Sequence, residues 1–278
     1  MSEIKIDGSN IYYEEHGEGP ESILFIHGFM MNCHMYDQQV EALQDRYRCI
    51  LFDLRGQGAS EVAEKGYGIY DLVDDTAELI EQLECAPCHV VGLSMGGHIA
   101  MRLAKRYPEL VRSLILISTS SAAESRSDAR NFKLLGFIHN RISQPFAVGK
   151  IKPILFGEKW LNDPSQEEVQ AYWHEQMLNN DKHAFAQTLN GILSRDDFAN
   201  YLSEIDLPVL IISGQVDAAA DPAQSERMHA EFPDSILVRV PDVGHTPPVE
   251  APDIVSAAML DFLVSLPSPS ERTVVARS

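Results

Sequence analysis

Nowhere in the 278 residues does an apolar run approach the roughly 20 that a bilayer span needs, which excludes an ordinary transmembrane helix. Basic residues are scarce too. The 22 Lys and Arg stand against 41 Asp and Glu, a formal net charge of -19, which argues against a nucleic-acid backbone or an anionic membrane surface as partner. Four cysteines, Cys33, Cys49, Cys85 and Cys88, are too few and too scattered for a disulfide framework in a chain this long. Cys85-Ala86-Pro87-Cys88 has a redox-like spacing, yet it closes a helical pattern and precedes a strand, so it reads as two free thiols in a connecting loop. Met1-Ser2-Glu3-Ile4-Lys5 lacks a basic start followed by an apolar stretch, so a soluble cytoplasmic protein is expected. With 45% hydrophobic residues and no long low-complexity tract before residue 267, the chain is read as one large globular domain carrying an inserted subdomain.

What is present is organised around Val90-Val91-Gly92-Leu93-Ser94-Met95-Gly96-Gly97. A short buried strand precedes Ser94 and a helical pattern over 97–107 follows it, which puts the serine in a sharp turn flanked by glycines. Gly-x-Ser-x-Gly between strand and helix is the nucleophile-elbow pattern, and the following helix N-terminus offers unpaired N–H groups to a developing anion.

Strand and helix alternate on both sides of this stretch. Strands are expected at 2–6, 11–15, 22–26, 49–52, 88–91 and 110–117, with helices near 35–43 and 67–84, the rhythm of a crossover sheet covered on both faces. That rhythm stops at Ser118. Over 121–202 only helical spacings appear: Phe132, Leu135, Ile138 and Ile142; then Val169, Tyr172, Trp173, Gln176 and Met177; then Phe185, Leu189, Ile192 and Leu193. Asp163, Pro164 and Gln166 give the second of these a capping-box start. Strands at 208–213 and 236–240 and helices at 222–232 and 252–266 then resume the pattern. The division expected is a core of 1–120 and 203–266, a helical cap of 121–202 over the sheet's carboxyl edge, and a frayed tail of 267–278.

A serine hydroxyl is a poor nucleophile without a base, and that base needs a carboxylate to fix its tautomer. Asp217 follows the strand at 208–213 by four residues, and His245 follows the strand at 236–240 by five. Asp221 and Asp242 compete for the acid's place, but Asp221 precedes Pro222 as a helix cap would and Asp242 belongs to a different turn, so Asp217 is preferred. Backbone N–H groups of Phe29, after His27-Gly28, and of Met95, after Ser94, are the candidate oxyanion donors. His27 is read as a loop brace. Trp160, Trp173, Phe137 and Phe146, with Phe132, Phe156 and Met177, are the aromatic and apolar residues available to wall a substrate site.

From Ile4 to Leu266 the chain resembles the α/β-hydrolase fold superfamily. The residues carrying the likeness are His27-Gly28-Phe29, the loop from Asp53 through Leu54, Arg55, Gly56, Gln57, Gly58 and Ala59 to Ser60, Gly92-Leu93-Ser94-Met95-Gly96-Gly97, Gly214-Gln215-Val216-Asp217 and Gly244-His245. The order Ser, Asp, His along the chain is that of the superfamily. The resemblance implies an α/β fold with a mostly parallel eight-stranded sheet, helices on both faces and an inserted helical cap, and a Ser94-His245-Asp217 triad acting on a small-molecule ester or lactone. No cofactor or metal is called for, and a homodimer is compatible with it. The Gly-Leu-Ser-Met-Gly-Gly turn resembles the group of 3-oxoadipate enol-lactonases and small bacterial carboxylesterases. Haloalkane dehalogenases and epoxide hydrolases use an aspartate nucleophile, against which Ser94 speaks. Carbon–carbon bond hydrolases, which act on vinylogous diketones, typically carry Trp after the catalytic histidine, where Thr246 stands here; they and a non-catalytic receptor on the same fold are the alternatives.

Overall fold

Strand β3 (Ser22–Ile26) is buried along its whole length, as its unbroken apolar sequence requires of a strand covered on both faces. Its side chains divide by alternation. Leu24 and Ile26 enter one core with helices α2 (Ile69–Gln82), α3 (Met95–Arg106) and α9 (Pro222–Glu231), while Ile23 and Phe25 enter a second with α1 (Asp37–Leu43) and α11 (Pro252–Ser265). The result is a helix–sheet–helix sandwich.

The computed structural model describes residues 2–267. Eight strands form one sheet among them, in the order β1 (Ser2–Ile6), β2 (Ser9–His16), β4 (Arg48–Phe52), β3, β5 (Cys88–Leu93), β6 (Val111–Ile117), β7 (Val209–Gly214), β8 (Ser235–Val240). The β1–β2 hairpin turns at Asp7 and Gly8, both at positive φ, and β2 also runs antiparallel to β4. Every other neighbouring pair is parallel, so the carboxyl ends of β3, β5, β6, β7 and β8 share one edge. Of the stretch expected to fray, all but Pro267 lies outside the described residues; the Pro267 carbonyl accepts a hydrogen bond from Arg112 Nη2 at 2.9 Å. No helix is long and apolar enough to cross a membrane among the described residues.

Between β6 and β7 the chain forms five helices: α4 (Arg126–Arg141), α5 (Gln144–Leu155), α6 (Glu158–Leu161), α7 (Glu167–Leu178) and α8 (Lys182–Leu193). Three helical patterns were legible in the sequence; α5 and α6 were not. Pro153 lies inside α5, where proline ordinarily argues against a helix, and α6 is a single turn. Ile142, grouped with the first pattern, follows the end of α4 and is exposed. Asp163 does cap, accepting from Ser165 N at 2.9 Å, but it caps a 3₁₀ turn over Pro164–Gln166 that runs on into α7. A single turn, α10 (Pro247–Glu250), precedes α11.

Candidate active site

The turn after β5 is built from what its neighbours leave room for. Ser94 adopts φ 53° and ψ -112°, a conformation that side-chain-bearing residues rarely hold. Its backbone is fixed on both sides: the N–H donates to Ile117 O at 2.9 Å, and the carbonyl accepts from His98 N at 3.1 Å and Thr119 Oγ1 at 2.8 Å. A Cβ on Gly92 would lie 2.3 Å from Gly96 O, and one on Gly96 would lie 2.2 Å from Ile26 O. Glycine spacing here is therefore a steric demand of packing a helix start against β3 and β5.

Two further loops meet beyond the ends of β7 and β8. Gln215 N donates to Val240 O and Val216 N to Val243 O, each at 3.0 Å, and a Cβ on Gly214 would fall 2.0 Å from Gly244 O. This close approach brings His245 Nδ1 to 2.9 Å from Asp217 Oδ2 and 3.0 Å from Oδ1, with both residues buried. An ionised carboxylate only accepts, so Nδ1–H donates and the lone pair of Nε2 stays available. Asp217 Oδ1 also accepts from Ala219 N and Ala220 N at 2.8 Å, which compensates the buried charge. The rival acids are occupied elsewhere. Asp221 caps α9 through Ala223 N at 2.9 Å, and Asp242 pairs with Lys159 at 3.2 Å.

Ser94 and His245 line one cavity of about 250 Å³, together with Phe29, which follows Gly28 at the end of β3. Met95 opens α3, so its N–H lacks an intrahelical acceptor. The loop holding Phe29 is braced from below. His27 accepts from Leu54 N at 2.9 Å through Nε2 and donates from Nδ1 to Gly28 O at 2.8 Å, and burial holds its pKa below the ordinary imidazole value. Met30 N donates to Gln57 Oε1 at 3.2 Å. The 53–60 loop that supplies Gln57 is itself folded around Asp53, which accepts from Cys33 N and Ala59 N at 2.8 Å.

A model of the α/β-hydrolase fold family matches residues 21–252. The chain belongs to that family. It is 29% identical, over 94% of its own length and 94% of the relative's, to a 2-(acetamidomethylene)succinate hydrolase of Mesorhizobium japonicum. Among solved structures it is similar to a thermophilic esterase from Thermogutta terrifontis, with a TM-score of 0.88 at 29% identity over 95% of this chain and 98% of that one. An enol-lactonase from Burkholderia xenovorans shares the fold, with a TM-score of 0.89 at 24% identity over 95% of this chain and 100% of that one.

In this α/β-hydrolase most of the expected wall residues sit elsewhere, although Phe132 does line the cavity. Trp160 is buried, stacked on Phe156 with ring centroids 4.5 Å apart, and Trp173 is buried in the second core; neither lines the cavity. Phe137 and Phe146 are 57% and 55% exposed, on the outer sides of α4 and α5. Phe137 and Phe146 lie on helices that do line the cavity but point away from it, whereas α6 and α7, which carry the two tryptophans, contribute nothing to it. Phe132, as expected, forms the wall together with Leu135, Ile151, Phe185 and Leu189. Phe185 stacks on His139, with ring centroids 3.8 Å apart, and meets Phe29 at a tilt, 5.0 Å away.

Sequence reasoning also missed Glu250. Its Oε2 accepts from Gly157 N at 2.8 Å and Gly244 N at 2.9 Å, and its Oε1 accepts from Thr246 N at 3.0 Å. One carboxylate thus grips the backbone on both sides of His245 and the start of α6. Burial pushes its pKa up against the pull of these three donors. Among the described residues no three His, Cys, Asp or Glu side chains stand together as metal ligands would.

Proposed function

We propose that the protein is a serine hydrolase of small carboxylic esters or lactones. The observation that carries this reading is the buried Asp217–His245 pair opening onto the same cavity as Ser94, which a strained turn presents to it. His245 Nε2 takes the Ser94 proton as Oγ attacks the carbonyl carbon, and Asp217 holds the resulting imidazolium. The oxyanion is met by the N–H groups of Phe29 and Met95. Collapse of the tetrahedral intermediate breaks the acyl–oxygen bond while His245 returns the proton to the leaving alkoxide. In a lactone the leaving oxygen stays tethered to the acyl group. Water, deprotonated by His245, then attacks the acyl-serine ester, and proton return frees Ser94 and the acid.

The esterase named among the similar structures supports this class. Size narrows the substrate. Against a benzene-holding cavity of about 150 Å³, the cavity takes roughly ten non-hydrogen atoms. Its wall of Phe132, Leu135, Ile151 and Phe185 favours an apolar acyl or ring portion. Short p-nitrophenyl esters and simple lactones, assayed with native protein and Ser94→Ala, test the proposal. The expected result is a fall in kcat/KM of at least about a thousandfold in the variant. Turnover that survives in Ser94→Ala, or tight ligand binding with no serine-dependent turnover, overturns it.

A further inference from the structure

The outer faces of α4 and α5 combine charge and apolar surface in a way that whole-chain composition conceals. Residues 126–155 hold six of the chain's 22 Lys and Arg and a single acid, Asp128, in a protein of net charge -19. Within this stretch Leu134, Phe137, Ile142 and Phe146 are 58%, 57%, 69% and 55% exposed; among the other large apolar side chains described, only Val264 is as bare. On α4 the exposed positions Arg130, Lys133, Leu134, Phe137 and Arg141 recur at steps of three and four and so share one face. The opposite side, with Phe132, Leu135 and Gly136, faces the cavity. Ile142 is exposed in the turn into α5, where the Lys150 ammonium lies over the Phe146 ring, 5.7 Å from its centroid. Arg130, Lys133, Arg141, Lys150 and Lys152 form no ion pair among the described residues.

Scattered exposed leucines need no explanation, but four large apolar tips set among unpaired cations do. A second copy is a poor occupant. An isologous contact would press these cations against their own images with almost no acid in the stretch to answer them. A folded acidic partner would need a pocket for each tip. An anionic bilayer supplies negative charge and an apolar interior with no matching shape. We propose that the outer face of α4 and α5 docks on an anionic lipid surface, with Leu134, Phe137, Ile142 and Phe146 entering the interface and Arg130, Lys133, Arg141 and Lys150 meeting headgroup phosphates. The acidic remainder of the molecule does not forbid this, because at physiological salt charges more than about 8 Å away are largely screened.

Co-sedimentation of the full chain with vesicles tests the docking without reference to activity. The protein should pellet with vesicles of equal phosphatidylcholine and phosphatidylglycerol, stay in solution with phosphatidylcholine alone, and be released by high salt. Lys133→Glu with Lys150→Glu should weaken partitioning at least tenfold, since each cation lost costs roughly fivefold. Phe137→Ser with Phe146→Ser should also lower it; all four side chains are exposed, and unchanged circular dichroism checks the fold. Failure to pellet with the anionic vesicles overturns the proposal, as does equal binding to neutral ones or binding that neither double variant changes. A dimer of the native chain that Phe137→Ser with Phe146→Ser dissociates overturns it in favour of a second copy.

Discussion

Ser94 illustrates how a single residue can hold a cost for the sake of position. At φ 53° and ψ -112° a side-chain-bearing residue loses about 1–3 kcal/mol, and here backbone hydrogen bonds to β6, Thr119 and His98 hold it in place. Glycine tolerates that conformation, whereas alanine keeps the Cβ that makes it costly. Ser94→Gly should therefore be more stable than Ser94→Ala by about 1 kcal/mol in urea unfolding, after allowing for glycine's extra chain entropy. Both variants lose the hydroxyl, so stability and hydrolysis part company at one position; equal midpoints for the two would show that the turn carries no strain. Much at this scale was legible in advance. Ser94 and Asp217 each follow a buried strand at short range, His245 follows the edge strand β8, and the glycines beside Ser94 signalled a crowded turn. Even the choice between Asp217 and Asp221 could be read, because a proline after Asp221 marks a helix start. Glu250 could not be read in this way. All three of its partners are backbone N–H groups, and one of them lies 93 residues away.

At the scale of elements, the same Glu250 explains how the histidine loop is held. The carboxylate at the end of α10 joins Gly157, at the start of α6, to Gly244 and Thr246, and a Cβ on Gly244 would lie 2.3 Å from Gly157 N. The start of α6 and the loop bearing His245 are therefore tied to the same carboxylate. Glu250→Gln keeps an oxygen for two of the donors but sets an NH₂ against the third. Loosening the histidine loop at one of its three anchors should lower kcat roughly tenfold or more with KM nearly unchanged, since the side chain does not line the cavity. Glu250→Ala orphans all three donors and should lose stability as well. Steady-state kinetics on Glu250→Gln with a native-like unfolding midpoint is the decisive measurement; wild-type kcat would reduce Glu250 to ordinary packing. Legibility was uneven among the elements too. Central strands such as β3 and β7 declared themselves, because burial on both faces leaves an unbroken apolar run. The inserted helices did not, because Pro153 disguised α5 and because helical spacing alone cannot tell a cavity-facing Phe132 from an outward Phe137.

For the whole molecule, the consequence of building so much around buried imidazoles is acid sensitivity well above the carboxylate range. Burial lowers the pKa values of His27, His98 and His139 from the ordinary 6.5, most strongly for His98, where the Arg195 and Arg102 cations add to the effect of desolvation. His34 shifts the other way, raised first by its hydrogen bond to Asp37. The three lowered groups stay neutral in the folded chain while the unfolded chain takes up protons, so the unfolded state binds more protons as pH falls below 6.5. Stability is then fully present above the unfolded value and is lost as pH falls through 6.5 toward the lower folded values. Below pH 6.5 His34 is protonated in both states and drops out, so the three lowered groups act together there, each steepening the loss by up to about 1.4 kcal/mol per pH unit. Against a domain stability of about 5–15 kcal/mol, that is enough to move the unfolding midpoint visibly between pH 7 and pH 5.5. Urea midpoints across this range should fall with acidification, and His98→Gln, which removes the most strongly shifted imidazole, should flatten the profile even if it lowers the plateau. A midpoint constant from pH 7 to pH 5.5 would mean that these histidines meet solvent in the folded chain and that the burial of His27 and His98 is wrong.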